Sequence, residues 1–242
     1  MEDKLFDIVA VAFLRDVMKF SSLVNYEDPD SFASRLRRKR MNIVIRLMES
    51  AHARKGVCRI LDIGGTYAYW RHVPVRLLDA LNVEIVLLNL SDFELPKDAV
   101  RFSKIIGDAC DLTVFSNGEF DLTHSNSVIE HVGSWDAMTQ MAKEMSRVGC
   151  SYYVQTPYFW FPIEPHFLCP FLHFMPLSLR VKIARRIALG NWPRAENSDE
   201  AVRAQQSVML LDKEMMISLF PDAVFTFERL LGIPKSIIAY SE

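Results

Sequence analysis

The stretch Arg59–Trp70, RILDIGGTYAYW, has the pattern of a buried strand that runs into a glycine turn. The apolar run ends in Asp62, Gly64 and Gly65, residue types that seldom continue a strand. Glycine lets the chain turn sharply and lets a ligand approach the main chain. The stretch therefore predicts either a tight strand-to-helix turn or a ligand site. We expect Asp62 and Gly65 to lie at an edge that solvent reaches.

The residues that follow alternate short apolar runs with helical patterns. The predicted strands are Cys58–Ile63, Val83–Asn89, Arg101–Ile106, Phe120–Ser125 and Ser151–Gln155. Helices are predicted near Tyr69–Leu81 and Trp135–Val148, and a further helix near Lys213–Phe220 precedes two closing strands, AVFTFERL and SIIAY. Strands and helices that alternate in this way predict an α/β fold with a doubly wound, mostly parallel, seven-stranded sheet.

The pattern divides the chain into four parts. Residues 1–56 form a predicted N-terminal helical cap with amphipathic helices over 3–20 and about 30–54. Residues 57–156 form the α/β core, and 207–242 supply its closing helix and strands. Between them, residues 157–206 are rich in proline and aromatic residues and contain no predicted strand. We expect them to form a helical and loop insertion that serves as a wall for an acceptor molecule.

Composition and charge limit the function and the compartment. The chain has 242 residues and a formal net charge of -2, which offers no overall attraction to nucleic acid. Its four cysteines form no C-x-x-C pair, which favours reduced thiols in a cytoplasmic protein. The N-terminus, MEDKLFDIVAVAFLRD, carries acids where a signal peptide needs positive charge. The apolar stretch Tyr158–Leu179 contains Glu164 and four prolines and is not a predicted membrane span.

Polar residues stand at the ends of four successive predicted strands. They are Asp62, Asn89, Asp108 and Ser125. In a doubly wound sheet the ligand binds at the carboxyl ends of the strands, where the strand order reverses. Four polar strand ends therefore predict a ligand site at this edge. A nicotinamide-binding domain is disfavoured, because the run from Gly64 lacks the G-x-G-x-x-G spacing that such a domain uses.

The series DIGGT, LLNLS, IGDA and FDLTHSNSVIEHV resembles the class I methyltransferases that use S-adenosylmethionine, over residues 57–156. The resemblance implies a Rossmann-like methyltransferase fold and this cofactor, with no metal. By that likeness Asn89 holds the ribose hydroxyls, Asp108 the adenine amino group, and Ala109 a ring nitrogen through its backbone N–H. The other implied cofactor residues are Asp62, Gly64, Gly65 and Thr66, near the methionine and ribose, and Ser125, near the sulfonium. Thr66 stands where the family usually has glycine, and Asn89 where it usually has an acid.

Three residues are candidates for catalysis if the methyl acceptor is a hydroxyl, because a base then helps to remove its proton. His131 follows the fourth strand, and Glu164 and His166 lie in the stretch FPIEPH after the fifth. For His131 the alternative role is to cap and pack the helix that follows the strand. For the FPIEPH stretch the alternative is a proline-rich loop whose aromatic residues pack under the next helix. The FPIEPH stretch resembles a bacterial subgroup associated with surface-polysaccharide or secondary-metabolite assembly. That resemblance implies O-methylation of a small molecule or a sugar or glycan precursor.

Two basic stretches each have more than one interpretation, and two alternative functions are considered. Arg35–Arg40 is interpreted as a solvated helix face or a phosphate contact. Leu177–Leu189 covers the sheet edge, forms a homodimer contact, or lies on a membrane surface, which would place the protein at the inner membrane. An RNA methyltransferase is disfavoured by the acidic net charge and by the lack of an RNA-binding module. The other alternative is a non-catalytic binding module that keeps the fold.

Overall fold

The computed structural model describes residues 32–190 and 192–241, with the side chains of the first helix described from residue 40 onward. Its helices are α1 (Phe32–Lys55), α2 (Tyr67–Trp70), α3 (Val75–Ala80), α4 (Trp135–Val148), α5 (Leu177–Ala184), α6 (Ser198–Gln206) and α7 (Lys213–Leu219). Its strands are β1 (Cys58–Ile63), β2 (Val83–Asn89), β3 (Phe102–Ile106), β4 (Phe120–Asn126), β5 (Gly149–Pro157), β6 (Ile163–Glu164), β7 (Cys169–Pro170), β8 (Val224–Leu230) and β9 (Ile233–Tyr240). The predicted helix over 3–20 lies outside the described residues.

Seven strands form one sheet in the order β3-β2-β1-β4-β5-β9-β8. The first five pair in parallel, and β9 pairs antiparallel with both β5 and β8. The strand order reverses between β1 and β4, so the carboxyl ends of these two strands lie side by side. In that pairing Ile63 lies opposite Ser125. The predicted doubly wound, mostly parallel sheet is confirmed.

Both faces of the sheet are covered, which explains the continuous apolar runs of its central strands. In β1, Leu61 and Ile63 belong to a core on one face, which includes the apolar side of α4. Cys58 and Ile60 belong to a core on the other face, with α1, Tyr69 and Trp70. This alternation follows from the two-residue period of a strand.

The region between β1 and β2 differs from the prediction. A single helix was predicted near Tyr69–Leu81, but the structure has two short ones, α2 and α3. Pro74 stands between them and begins α3 as its N-cap. Proline has no backbone N–H to donate to the preceding turn, which explains the interruption. By contrast, α4 has the predicted bounds.

The described chain contains two compact units. One consists of Lys39–Phe161 together with the residues from Ser207 onward, and the other contains Pro162–Gln206. The absence of strands predicted for 157–206 is wrong, because β6 and β7 form a two-residue antiparallel ladder within the second unit. This unit has its own apolar cluster, which includes Phe167, Leu172 and Ala201.

Two other expectations concern the cysteines and the membrane. All four cysteines, Cys58, Cys110, Cys150 and Cys169, are free thiols, as predicted. Among the helices described, none combines the length and the apolar character needed to cross a bilayer.

Candidate functional site

A cavity of about 730 Å³ lies at the carboxyl ends of β1, β2 and β3. Its volume is in the range of about 300–1,000 Å³ that is typical of small-molecule sites. Six residues predicted for the site line it: Gly64, Thr66, Asn89, Asp108, Ala109 and His131. The apolar part of the lining includes Leu88, Phe93 and Val128. The structure thus brings together the ends of three strands that are far apart in sequence.

The glycine turn after β1 needs its two glycines for different reasons. Gly64 has a φ of 67°, in the left-handed region that favours glycine, and a Cβ there would lie 2.4 Å from Cγ2 of Val128. Gly65 has no such φ, but its Cβ would lie 1.9 Å from Oδ2 of Asp62. The close approach that Gly65 permits is therefore made by a side chain of the protein itself.

Asp62 is buried, with only 1% of its surface exposed, so the expectation that it lies at an edge reached by solvent is wrong. Its Oδ2 accepts a hydrogen bond from Nε1 of Trp70 at 2.7 Å, and its Oδ1 lies 2.6 Å from Nδ1 of His124. The two-residue strand period explains this position, because Asp62 lies on the same face as Ile60 and points into the core beside α1.

His124 links Asp62 to further buried aromatic residues. Its Nε2 lies 3.2 Å from the hydroxyl oxygen of Tyr69, and its ring stacks on Tyr153 with a centroid distance of 5.1 Å. Sequence reasoning missed His124 and Trp70 as parts of this cluster. The signal was available, since His124 lies opposite Asp62 in the pairing of β1 with β4. We call Asp62, Trp70 and His124 the buried polar cluster.

The two departures from the family pattern both have structural roles. Nδ2 of Asn89 donates to the backbone carbonyl of Gly65 at 2.9 Å, which ties the end of β2 to the glycine turn. A carboxylate could not donate this bond. Thr66 is the N-cap of α2, where its Oγ1 accepts from the backbone N–H of Tyr69 at 3.4 Å.

The loop after β3 carries Asp108 and Ala109. Oδ1 of Asp108 accepts from the backbone N–H of Cys110 at 2.9 Å, while the side chain as a whole is exposed. Ala109 is buried. Cys110 also lines the cavity, and its burial, followed by the nearby charge of Asp108, raises the pKa of its thiol to about 11.

Glu144 and Arg147 on α4 hold the same loop in place. Oε2 of Glu144 accepts from the backbone N–H of Leu112 at 2.9 Å, and Arg147 donates to the Leu112 carbonyl at 2.8 Å. Arg147 also donates to both carboxylate oxygens of Glu144, at 2.8 and 2.7 Å. The hydrogen bond from Arg147 lowers the pKa of the Glu144 carboxyl, which keeps it charged.

The end of β4 contains buried polar atoms that no described group satisfies. Oγ of Ser125 is fully buried and Oδ1 of Asn126 is buried, and neither has a hydrogen-bond partner within the described part of the chain. Buried polar groups are normally hydrogen-bonded, so these two atoms point to a ligand or to water. Ser125 pairs opposite Ile63, which lines the cavity.

His131 and its neighbour Glu130 have different environments. His131 is exposed at the cavity, and its Nδ1 lies 3.2 Å from the carbonyl oxygen of Ser207. A carbonyl only accepts, so Nδ1 carries the proton and Nε2 is the basic nitrogen of the neutral ring. Glu130 is buried, and its Oε2 accepts from the Thr156 hydroxyl at 2.9 Å, as expected of a packing residue.

Glu164 and His166 form a second carboxylate–histidine arrangement, in the unit that contains Pro162–Gln206. Glu164 is buried and accepts from the backbone N–H groups of His166 and Phe167, at 3.0 and 2.6 Å. It also pairs with Nδ1 of His166. The carboxylate therefore holds the turn and orients the imidazole, which leaves Nε2 as the basic nitrogen of the neutral ring.

The chain has the Rossmann-like fold of the S-adenosylmethionine-dependent methyltransferases, with a mostly parallel seven-stranded sheet covered by helices. A similar solved structure is an S-adenosylmethionine-dependent methyltransferase from Archaeoglobus fulgidus, with a TM-score of 0.50 and 12% identity over 84% of this chain and 92% of the other. A provisionally named exported protein from Bordetella parapertussis has a TM-score of 0.52 and 12% identity, over 93% and 79% of the two chains.

A third similar structure is a provisionally named sarcosine dimethylglycine methyltransferase from Galdieria sulphuraria, with 18% identity and a TM-score of 0.34. The match covers 47% of this chain and 45% of the other. No protein-family model and no curated protein sequence matches the chain. At 12% identity the structures from Archaeoglobus fulgidus and Bordetella parapertussis show the fold alone.

Proposed function

We propose that the protein is an S-adenosylmethionine-dependent methyltransferase that methylates a hydroxyl of a small molecule or of a sugar or glycan precursor. The observation that carries the proposal is that Asn89 and Asp108, which lie at the carboxyl ends of two neighbouring strands, line one cavity together with the glycine turn after β1. The buried, unsatisfied oxygens of Ser125 and Asn126 at the end of the neighbouring strand fit a site that takes a polar ligand. The methyltransferase fold of the chain supports the same conclusion.

The cavity residues fit the parts of this cofactor. Asn89 uses its Nδ2 for Gly65, so its Oδ1 is the atom that would accept from a ribose hydroxyl. Asp108 is exposed and would accept from the adenine amino group, while the backbone N–H of Ala109 would donate to a ring nitrogen. When bound, the cofactor supplies a methyl group on a good leaving group. The protein then contributes alignment and a dry site.

Two histidines are candidates for the single general base that a hydroxyl acceptor needs. His131 is held through its Nδ1 by the Ser207 carbonyl, and His166 is held through its Nδ1 by Glu164. In both cases Nε2 is the atom that would take the proton. Glu164 is proposed as the group that orients His166, because its oxygens already accept bonds from the turn.

Isothermal calorimetry with S-adenosylmethionine and S-adenosylhomocysteine tests the cofactor site. We expect both compounds to bind, and we expect Asp108→Ala to weaken binding by about tenfold, the size of one hydrogen bond to a charged group. Asp98→Ala is the matched control, since Asp98 is an exposed acid outside the cavity lining. A folded protein that gives no heat with either compound would leave only the non-catalytic binding module or an unrelated function.

Transfer of a radiolabelled methyl group to a panel of sugars, nucleotide sugars and phenols tests the acceptor class. His131→Asn and His166→Asn separate the two bases, because loss of the true base should lower kcat while the affinity for the cofactor stays unchanged. Glu164→Gln should reproduce part of the His166→Asn effect if His166 is the base. Labelling of bulk RNA instead of the panel would support an RNA methyltransferase.

A further inference from the structure

The basic segment Leu177–Leu189, which contains α5, packs apolar side chains within its own unit. Ala184 and Leu189 are buried in the apolar cluster of that unit, and Val181, Ile183 and Ile187 pack against it. An amphipathic helix that lies on a bilayer needs its apolar side for the lipid. Five of the apolar side chains that the sequence offered for a membrane contact are therefore already packed within the unit, and Leu179 is not among them.

Other apolar side chains of the same segment are exposed. Phe171 is 57% exposed, Phe174 39% and Leu179 44%. The rings of Phe171 and Phe174 lie 6.3 Å apart, so they form one aromatic patch. Large exposed apolar groups that lie together mark interaction sites more often than isolated ones do.

The backbone holds Phe171 in an unfavourable conformation. Its φ of 61° lies in the left-handed region, which is unfavourable for a residue other than glycine. Its N–H donates to the carbonyl of Pro162 at 2.7 Å, which fixes the turn. The turn presents the phenyl ring of Phe171 to solvent.

The segment that carries the patch is rich in basic residues. From residue 165 to residue 195 the sequence contains no Asp or Glu and five basic residues: Arg180, Lys182, Arg185, Arg186 and Arg194. The exposed positions along α5 and its end, Leu179, Lys182, Arg185 and Arg186, follow the helical repeat. Arg185 donates to Ser198 at the start of α6, the helix that also carries the acids Asp199 and Glu200. Pro162–Gln206 still contains six Lys and Arg residues against four Asp and Glu, although the whole chain has a net charge of -2.

We propose that this surface, which we call the docking surface (Phe171, Phe174, Leu179, Lys182, Arg185 and Arg186), binds the face of an anionic lipid bilayer. Basic side chains are attracted to an anionic membrane, and Phe and Leu side chains bury at the boundary between headgroups and acyl chains. Neither the cofactor site nor methyl transfer is needed for this contact.

Two other occupants fit the surface less well. In a symmetric dimer the same patch of both copies would meet, which would place the cations of one copy close to those of the other. A nucleic acid would pair its phosphates with the basic residues but would leave the aliphatic Leu179 unused. A bilayer satisfies the charges and the apolar groups together.

Co-sedimentation of the whole protein with vesicles of phosphatidylcholine, with and without phosphatidylglycerol, tests the proposal. Binding should require phosphatidylglycerol, and Lys182→Gln, Arg185→Gln and Arg186→Gln together should weaken it by on the order of tenfold or more. The matched control is the triple variant of exposed cations elsewhere, Arg71→Gln, Arg76→Gln and Lys97→Gln, which should bind as the wild type does.

Phe171→Gly tests the aromatic part and keeps the fold intact, because glycine relieves the left-handed strain. This variant should melt at the wild-type temperature or above it and still lose vesicle binding severalfold. Leu231→Ser, at a residue that is 92% exposed in the β8–β9 turn, is its control and should leave binding unchanged.

Three results would overturn the proposal. The first is a wild-type protein that stays in the supernatant with phosphatidylglycerol vesicles at low salt. The second is vesicle binding that weakens equally in the two triple variants. The same conclusion would follow if Phe171→Gly left vesicle binding unchanged and added RNA released the protein from the vesicles. The third is a dimer seen by light scattering that Phe171→Gly dissociates, which would assign the surface to a second copy of the chain.

Discussion

Substitution of Gly65 by alanine should destabilise the protein by displacing Asp62, although the added methyl group is small. The new Cβ would lie 1.9 Å from Oδ2 of Asp62, so the carboxylate must retreat by about 1.5 Å to reach an ordinary contact distance of 3.4 Å. That movement breaks its bonds to Trp70 and His124. Each bond to a charged group is worth about 1.5–3 kcal/mol, so we expect a loss of about 4 kcal/mol in the free energy of unfolding.

A double-mutant cycle measured by urea unfolding isolates this cause. Asp62→Ala alone should cost about 3–5 kcal/mol, because it leaves the other members of the buried polar cluster without their partner. In that background Gly65→Ala should cost less than about 1 kcal/mol, since the clashing carboxylate is gone. Gly107→Ala is the control, because its Cβ would meet only the flexible side chain of Leu88, at 3.3 Å.

The reasoning fails if Gly65→Ala costs the same with and without the Asp62 carboxylate. It also fails if Gly65→Ala is as stable as Gly107→Ala, since the glycine would then serve a ligand and not the protein's own acid. In that case the loss should appear only in the affinity for S-adenosylhomocysteine.

Three further results are expected. Asn89→Asp should weaken S-adenosylhomocysteine binding by about tenfold, although it restores the acid that is usual in the family, because the bond to the Gly65 carbonyl is lost; calorimetry measures this. Alkylation of Cys110 should keep accelerating up to a pH of about 11, and S-adenosylhomocysteine should slow it; mass spectrometry follows the labelled peptide. Arg147 lowers the pKa of Glu144, so this carboxylate stabilises the fold fully above its unfolded value, and the contribution disappears as the pH falls through the lower folded value. Glu144→Gln should therefore flatten the dependence of stability on pH below about 4.5, as measured by thermal melts across that range.

The fold could be predicted from the sequence because its strongest patterns are local. Cys58–Ile63 and Val83–Asn89 were predicted with the bounds that the structure has, since each is a short apolar run between polar segments. The two-residue strands β6 and β7 could not be predicted, because a ladder of that length leaves no periodic pattern. The interruption at Pro74 could have been predicted from the missing backbone N–H.

The candidate site was predictable to the level of the strand ends and no further. Asn89 and Asp108 line the cavity because the carboxyl ends of neighbouring parallel strands meet at one edge. The partners of each side chain depend on contacts between distant segments. The bond between Asn89 and Gly65 joins two such segments, and no local pattern indicates it.

The position of Asp62 shows why a motif and a ligand contact are different statements. Two residues before it, Ile60 points into the core beside α1, and the strand period turns Asp62 to that same face. A buried carboxylate needs donors of its own, and Trp70 and His124 supply them. The glycine that usually signals a nearby cofactor is therefore required first by the fold. A cofactor would therefore bind beside a turn whose shape is already fixed by two sets of contacts. One is the buried polar cluster, and the other is the hydrogen bond from Asn89 to the Gly65 carbonyl.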